Sequence, residues 1–306
     1  MSRQFAQLNS LDLCNQVVIY GANGWMGRSA FEFISSQNPS NLNSRVLLIG
    51  SRSSKLILDK VEQEVFAPTQ GFAAIREGAI FFNAAFHRRE FLQSMSLSEY
   101  VRQNHEIASL AKRAIETKNL KSFVNLSSGA ARELDSDSTK KNSDAYTVMK
   151  KSFEMDYEAL CNHYGTTLVN CRIFSISGKH INEFKNLALS NFIHQSQTKR
   201  RILVNSPSTL RTFVDSVDLA GVLLTLGCQD VSLKFDSGGQ LIDMLNLAKR
   251  INHVVNNSEA NTILGHDRNP DYFGRYLEFN SIMTELGFPL KGIDDQIKNT
   301  LRAFTK

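Results

Sequence analysis

A tyrosine and a lysine four residues apart, Tyr146 and Lys150, form a Y-x-x-x-K sequence. They follow Ser143 and Asp144, polar residues of the kind that cap helix N-termini, so we expect both on one helix. Side chains four residues apart share a helix face, and an ammonium beside a phenol lowers a phenol pKa that is ~10 in isolation. Such a phenol could pass a proton to or from a substrate oxygen. The alternative is an exposed helical pair that occurs by chance.

A glycine-rich turn lies near the start of the sequence. Gly21, Gly24 and Gly27 form a G-x-x-G-x-x-G between the predicted strand Val17–Tyr20 and the predicted helix Arg28–Ser36. Glycines let main-chain N–H groups approach a pyrophosphate closely, and the N-terminus of the following helix favours negative charge. The pattern therefore predicts that a dinucleotide binds at Gly21, Asn23, Gly24, Trp25, Met26 and Gly27.

The end of the second predicted strand bears on which dinucleotide binds. An acidic residue there would accept the ribose 2′-hydroxyl of NAD, but the sequence reads Gly50-Ser51-Arg52-Ser53. Arg52 could instead pair with a 2′-phosphate, helped by the hydroxyl of Ser51 or Ser53. We therefore favour NADP over NAD, the alternative being an exposed loop arginine with no ligand.

Polar and small residues follow two further predicted strands. Ser127 and Ser128 lie at the carboxyl end of one, where ligands bind in open α/β sheets, and a serine hydroxyl there can hydrogen-bond a reacting oxygen. Asn83, Ala84 and Ala85 end another strand, and their small size lets a cofactor lie close. Arg88 and Arg89 follow and could touch a phosphate or the substrate, or lie on the surface; we weigh these two interpretations equally.

The positions of these residues depend on the fold. Strands that are apolar throughout are buried on both faces. Here such strands alternate with predicted helices along the chain, and this alternation predicts a parallel sheet with helices on both sides. The predicted strands are Val17–Tyr20, Val46–Ile49, Ala79–Phe82, Phe123–Leu126 and Thr167–Phe174, and the predicted helices are Arg28–Ser36, Glu106–Thr117 and one that ends at Gly165.

After Gly178 the alternation changes, and a smaller lobe is predicted. We expect a dinucleotide-binding domain over 1–177, joined again by 213–236, and a lobe for the substrate over most of 178–306. Its predicted elements are helices at 182–197, 217–226, 241–252, 280–286 and 294–304, with strands at Ile202–Val204 and near Leu233.

Composition excludes several classes of protein. The 306 residues are 42% hydrophobic and 21% charged, which excludes a wholly disordered chain, and the net charge of +5 is too small to indicate nucleic acid by itself. The four cysteines form no C-x-x-C pair and the seven histidines no H-E-x-x-H, so we expect neither disulfides nor a metal site. We expect no membrane span and a cytoplasmic location. The segment Met1 to Gln16 mixes polar and apolar residues, so we interpret it as a short arm and not as a secretory signal.

Taken in order, these motifs resemble the extended branch of the short-chain dehydrogenase/reductase superfamily, the NAD-dependent epimerase/dehydratase family, over nearly the whole chain. The resemblance implies a Rossmann-type doubly wound sheet with a smaller C-terminal lobe. It also implies that Ser128 and Tyr146 act on the substrate and that Tyr146 and Lys150 contact the cofactor. Lys150 would hold the nicotinamide ribose and lower the Tyr146 pKa, and Asn104 would support Lys150 through water. Arg211, in a segment similar to the family's R-D-F-x-x-V-x-D-x-A, would anchor a nucleotide diphosphate; an ion pair with Asp215 or Asp218 is the alternative. Cys171–Gly178 and Glu285–Pro289 resemble two further family signatures.

The activity that this resemblance implies is NAD(P)-dependent oxidation or reduction of a nucleotide-linked sugar. We expect a reductase of a 4-keto sugar, with a 4-epimerase that retains NAD as the alternative and a non-catalytic NADP-sensing regulator as an alternative from another class. Dehydration is disfavoured, because Gly129 and Ala130 follow Ser128 where sugar dehydratases have two carboxylates. The family also implies a homodimer.

Overall fold

The computed structural model describes residues 15–37, 42–135, 144–182, 184–199, 201–256, 262–267 and 269–304. The chain divides into two compact units. The first extends to Arg172 and includes Ala220–Phe235, and the second contains Ile173–Leu219 and Asp236–Lys306. The predicted arm up to residue 14 and the predicted cap Ser143 lie outside the described residues, and the domain boundaries expected from the sequence stay a prediction.

The elements are numbered in chain order. The strands are β1 Val17–Tyr20, β2 Val46–Ile49, β3 Ser54–Leu58, β4 Val61–Phe66, β5 Ile80–Asn83, β6 Ser122–Ser128, β7 Thr167–Ile173, β8 Ile176–Ser177, β9 Ile202–Val204, β10 Leu210–Asp215, β11 Leu233–Asp236, β12 Gln240–Asp243 and β13 Thr262–Leu264. The helices are α1 Trp25–Gln37, α2 Leu42–Arg45, α3 Pro68–Ala73, α4 Leu97–Thr117, α5 Ala145–Tyr164, α6 Ala188–Lys199, α7 Ser216–Gly227, α8 Met244–Asn256, α9 Tyr276–Glu285 and α10 Ile293–Leu301.

The first unit is built on an eight-stranded sheet in the order β11-β7-β6-β5-β1-β2-β4-β3. Strand β1 pairs in parallel with β2 and β5, and β5 pairs in parallel with β6. Both faces of the sheet are covered. On one face the ring of Phe123 lies 4.8 Å from that of Tyr157 on α5, and on the other Gly227 of α7 packs against Ile80 and Val124. This confirms the predicted α/β class, and it explains why β1, β2, β5 and β6 are buried along their whole length.

Several helix ends agree with the local sequence signals. Asp144 caps α5, because its carboxylate accepts a hydrogen bond of 2.9 Å from the N–H of Thr147. Gly165 ends the same helix at φ 68°, a left-handed conformation that suits glycine. Helix α4 begins nine residues before the predicted Glu106, capped by the Ser96 hydroxyl, which accepts from the N–H of Glu99 at 3.2 Å.

The structure differs from the sequence prediction in several elements. The helix predicted at 182–197 begins only at Ala188, as α6. The antiparallel hairpin of β3 and β4 was not predicted; its turn residues Asp59 and Lys60 have φ of 47° and 72°, as a type I′ turn requires, but lack the usual glycine. The helix expected from Leu241 is wrong over its first residues. These pair with β10 as strand β12, and α8 begins only after Asp243, whose carboxylate accepts from the N–H of Asn246 at 2.7 Å.

The second unit is organised around a separate core. A three-stranded sheet in the order β12-β10-β8 and a two-stranded sheet of β13 and β9 pack with α6, α8 and α10, burying Leu189, Ile193, Leu247, Ile251 and Ile297. Gln296 of α10 is buried and bonds the Ser177 hydroxyl at 2.7 Å and the Phe213 carbonyl oxygen at 3.0 Å. The last helix is therefore tied to the two strands β8 and β10. No helix in the described ranges has the length and apolar character needed to cross a bilayer.

A buried ion pair joins α5 to β7 in the first unit. Arg172, whose side chain is 5% exposed, donates to both carboxylate oxygens of Glu154 at 2.8 and 2.6 Å. It also donates to Asp135 at 2.9 Å, and Lys151 pairs with the same carboxylate. Burial raises the pKa of Glu154, but the hydrogen bonds from Arg172 outweigh it and hold that pKa below its usual value. The guanidinium therefore holds α5 and the segment after β6 together.

The variant Arg172→Met should cost about 3–5 kcal/mol of unfolding free energy, because it removes the buried cation that is hydrogen-bonded to the Glu154 carboxylate and leaves only the half-exposed Lys234 near that buried charge. Urea unfolding followed by circular dichroism measures this. Lys234→Met is the matched control, since Lys234 lies 3.7 Å from the same carboxylate but is 38% exposed, and it should cost less than about 1 kcal/mol. Equal losses in the two variants would contradict the account; replacing Arg172 and Glu154 together by apolar residues should restore much of the stability.

Candidate active site

The turn between β1 and α1 is packed so tightly that it needs glycine. Gly21 has φ +89°, and a Cβ placed on it would lie 2.7 Å from main-chain atoms of Ala84 and Ala85. A Cβ on Gly27 would lie 2.3 Å from the Gly21 carbonyl oxygen. The N–H of Gly21 bonds the Ile49 carbonyl oxygen at 2.9 Å, so the turn is fixed to β2 as well as to the residues after β5.

The other predicted cofactor residues of this turn lie at the start of α1. Gly24 donates its N–H to the Gly21 carbonyl oxygen at 2.9 Å, and Trp25 and Met26 are buried in the first helical turn. Asn23 donates its side-chain N–H to Ser54 at 3.3 Å. The main chain here has the form of a phosphate-binding turn, a strand end that leads through glycines into a helix N-terminus. The contacts of these turn residues with a cofactor stay a prediction.

Ser51 and Arg52 are exposed directly after β2. Their loop is anchored on both sides, by the N–H of Gly50 bonding Phe66 at 3.0 Å and by the Ser53 hydroxyl accepting from the N–H of Ala67 at 3.2 Å. The predicted contact of Arg52 with a 2′-phosphate stays a prediction, and the exposed guanidinium is compatible with it.

Tyr146 and Lys150 both contact one aromatic ring, that of Phe86. The Tyr146 ring lies 5.6 Å from it at 89°, and the Lys150 Nζ lies 4.0 Å from its centroid. Lys150 donates to the carbonyl oxygen of Leu126 in β6 at 2.9 Å. The structure therefore brings the predicted pair together, on the first turns of α5 and beside the carboxyl end of β6.

Ser128 is the last residue of β6 and is 6% exposed. Its hydroxyl accepts a hydrogen bond of 3.2 Å from the N–H of Ala130. Ser128 thereby caps the short 3₁₀ helix Gly129–Leu134. A hydroxyl that accepts here can still donate its proton. Because Leu126, which holds Lys150, lies two residues earlier on the same strand, Ser128 and the lysine share one strand end.

Asn104 of α4 is fully buried and fixes the segment after β5. Its carbonyl oxygen accepts from the N–H of His87 at 2.8 Å, and its amide donates to the carbonyl oxygens of His87 at 3.3 Å and Tyr100 at 3.1 Å. It thereby positions Phe86. Asn104 and Lys150 also line one small cavity of about 10 Å³, room for about one water molecule. The water-mediated support of Lys150 stays a prediction.

A row of buried amides crosses the sheet below these residues. The Asn83 amide donates to Asn125 at 3.2 Å, and the Asn125 amide donates to Asn170 at 2.6 Å, linking β5, β6 and β7. The side chain of Asn83 is thus used within the sheet, and its contribution to a cofactor site stays a prediction. Asn125 and Asn170 were not singled out from the sequence, although an amide inside an otherwise apolar strand is a usable signal.

Arg211 of β10 lies in the second unit and carries an unused donor. Its Nε is buried without a hydrogen-bond partner among the described residues, and its guanidinium carbon lies 5.6 Å from the centroid of the Tyr272 ring. Burial lowers its pKa. It lines a cavity of about 260 Å³ with polar side chains that include Asn191, Gln195 and Ser206, and none of the described lining residues is acidic.

The alternative ion pair of Arg211 with Asp215 or Asp218 is not formed in the described part of the chain. Lys291 lies 3.4 Å from the Asp215 carboxylate and 2.8 Å from that of Asp218. Asp215 also accepts from the amide of Asn299 at 2.9 Å. Both carboxylates are therefore used elsewhere, which leaves Arg211 able to bind an anion.

The described residues contain no group of three or more His, Cys, Asp and Glu side chains arranged to hold a metal ion. The site contains a phenol and an amine on one helix, Tyr146 and Lys150, a serine hydroxyl, and a glycine turn at the N-terminus of another helix. Burial lowers the pKa of Lys150 to about 7, and the Glu154 carboxylate opposes that shift. An amine with a pKa near 7 exists in both protonation states near neutral pH.

Comparison with known proteins identifies the family of the chain. The model of the NAD dependent epimerase/dehydratase family matches residues 17–232. No curated protein sequence matches the chain.

The solved structures that are similar over nearly the whole chain include the following three. The UDP-N-acetylglucosamine 4-epimerase of Methanobrevibacter ruminantium, in complex with UDP-N-acetylmuramic acid, has a TM-score of 0.72 at 16% identity, covering 95% of this chain and 98% of that one. The UDP-glucose 4-epimerase of Thermotoga maritima, with UDP-glucose, has a TM-score of 0.70 at 14% identity over 95% and 98%. The Bordetella bronchiseptica enzyme WbmF, in complex with NADH, has a TM-score of 0.71 at 18% identity over 96% and 93%. At these identities the likeness establishes the fold.

The burial of Lys150 should make stability depend on pH. An unfolded lysine has a pKa of ~10.4, so from about pH 7 to about pH 10 the unfolded chain holds a proton that the folded chain has released, and stability rises with pH. The difference in unfolding free energy between the wild type and Lys150→Met should therefore change by about 2 kcal/mol in favour of the wild type between pH 7 and pH 9. Urea titrations at each pH measure it, and a difference that does not vary with pH would show that Lys150 keeps an ordinary pKa.

Proposed function

Because the chain belongs to the NAD dependent epimerase/dehydratase family and is an enzyme of that family, we propose that it oxidises or reduces a nucleotide-linked sugar with a nicotinamide dinucleotide. The observation that carries the proposal is the meeting of Tyr146 and Lys150 on the ring of Phe86, beside the end of β6 that bears Ser128. Sensors built on this fold characteristically lack the tyrosine or the lysine.

The residues of the turn fit the dinucleotide. The Cβ positions of Gly21 and Gly27 are blocked by main-chain atoms, so only glycine allows this close, helix-terminated turn. We propose that Gly21 to Gly27 hold the pyrophosphate, that Ala84 and Ala85 let the cofactor lie close, and that Lys150 holds the nicotinamide ribose. When bound, the nicotinamide accepts or supplies a hydride at a sugar carbon.

The protein side of the reaction is proton transfer. Tyr146 gives a proton to the sugar oxygen, or takes one from it, at the phenolic oxygen. The Lys150 ammonium favours the ionised phenol, and the Ser128 hydroxyl orients the sugar oxygen by a hydrogen bond. Asn104 contributes by fixing the segment that carries Phe86.

The nucleotide part is supported by Arg211 and its cavity. A guanidinium recognises phosphate oxygens in pairs, and here its buried Nε has no hydrogen-bond partner among the described residues. The sugar nucleotides named in two of the similar structures, UDP-N-acetylmuramic acid and UDP-glucose, belong to the same chemical class. We propose Arg211 as the anchor of the diphosphate.

The expected reaction is reduction of a 4-keto sugar, and 4-epimerisation is the second candidate because two of the similar structures are 4-epimerases. Purified enzyme should oxidise NADPH in the presence of one of a panel of 4-keto nucleotide sugars. The variant Tyr146→Phe should lower that rate by about 100-fold or more while the cofactor dissociation constant stays the same.

The outcomes of this assay separate the candidates. Interconversion of C4 epimers of a UDP-sugar by NMR, without net consumption of cofactor, would replace the reductase by the epimerase. Turnover that survives in Tyr146→Phe would remove the assigned acid–base residue.

Cofactor choice is tested separately. Arg52 favours NADP, whereas the similar WbmF structure contains NADH. We expect NADP to bind about tenfold more tightly than NAD, and Arg52→Ala to abolish the difference, since a charge-assisted hydrogen bond is worth about that much. The control is Lys55→Ala, an exposed cation already paired with Glu62 at 2.5 Å. Tighter binding of NAD to the wild-type enzyme, measured by calorimetry, would remove the preference for NADP.

A further inference from the structure

A second cation lies against Tyr146. The guanidinium carbon of Arg89 is 5.1 Å from the centroid of the Tyr146 ring, within the range of a cation–π contact. The Arg89 side chain is held in place by an ion pair of 2.7 Å with Asp144, the cap of α5, and by Thr147 at 3.5 Å. Since Asp144 and Thr147 flank Tyr146 in sequence, the arginine is fixed to the same helical turn as the phenol.

The charged and titratable groups around the phenol come from three elements. Asp144 caps α5 and Lys150 lies on that helix, Arg89 comes from the segment after β5, and Tyr100 comes from α4. Burial is the main cause that raises the pKa of the Tyr100 phenol, and the nearby Tyr146, Asp144 and Glu90 raise it further. Arg89 lowers it. Two cations, one carboxylate and a second phenol therefore lie around Tyr146.

Arg89 and Lys150 differ in how they respond to pH. Burial brings the pKa of Lys150 to about 7, so its charge is incomplete in the range where a phenol begins to ionise. A guanidinium stays protonated throughout that range. The ionised phenol also has more negative charge on its ring, which strengthens the attraction of a cation over the ring face.

We propose that Arg89 is a positioning residue that favours the ionised form of Tyr146. Its loss would both remove a cation and leave the Asp144 carboxylate without its partner, and both changes disfavour a second negative charge nearby. Its catalytic consequence rests on the proposed function, in which Tyr146 transfers the proton.

The test follows ionisation directly and needs no substrate. Full-length protein labelled with ¹³Cζ-tyrosine is titrated by NMR, and the Tyr146 signal is identified by its absence in Tyr146→Phe. In Arg89→Gln the Tyr146 pKa should rise by about 0.5–1.5, the range that follows from cation–π strengths. Arg89→Lys should restore part of the shift, and it also serves if the glutamine variant does not fold.

Arg88→Gln is the matched control. Arg88 is the preceding residue, and its guanidinium lies 3.9 Å from Glu90, so its removal should leave the Tyr146 pKa unchanged. An unchanged Tyr146 titration in Arg89→Gln, or a wild-type Tyr146 that stays protonated up to about pH 11, would overturn the inference. A shifted titration in an enzyme that turns over no nucleotide sugar would leave this inference standing and defeat the proposed function instead.

Discussion

The hydrogen bond from the Lys150 ammonium to the carbonyl oxygen of Leu126 fixes the start of α5 against the end of β6. A lysine buried at this point needs an acceptor, and the strand end supplies it with a main-chain oxygen that no side-chain substitution can remove. One helical turn earlier, Tyr146 must then lie over the same strand end. The ring of Phe86 is positioned through Asn104 and contacts both side chains. The chemistry of the site thus follows from one hydrogen bond and the 3.6-residue period of a helix.

The same helix needs a second anchor, because one bond near its start does not fix its direction. Glu154 lies one turn beyond Lys150 and is 1% exposed, so its charge is tolerable only with a partner. Arg172 supplies it from β7 and reaches Asp135 as well, which connects the segment after Ser128 to the same guanidinium. The carboxylate also opposes the effect of burial on the Lys150 pKa. Structural support and tuning of the lysine are therefore two effects of one buried ion pair.

The sequence predicted features whose cause is local. Asp144, Gly165 and the glycine turn could be interpreted directly, because a cap, a left-handed residue and a close main-chain approach each require a particular residue type at one position. The fully apolar strands likewise identified the buried sheet. The β3–β4 hairpin was missed because its turn is formed by Asp59 and Lys60 without glycine, and β12 was missed because its pairing with β10 outweighs helix propensity. The Asn83–Asn125–Asn170 row and the contact of Arg89 with Tyr146 join residues distant in sequence, so only the fold brings them together.

Arg211 shows why an isolated charge in a folded chain points to a ligand. The two acidic residues that follow it in sequence, Asp215 and Asp218, are neutralised by Lys291, and Asp215 is further bonded to Asn299. Burying a guanidinium donor without an acceptor costs free energy, and burial indeed lowers the Arg211 pKa. A carboxylate in contact with Arg211 would remove that cost but would also repel an anion from the cavity. Because both carboxylates are paired with Lys291 instead, the cavity keeps the positive charge of Arg211. An anionic group that enters the cavity accepts a hydrogen bond from the Arg211 Nε and removes the cost of burying that donor.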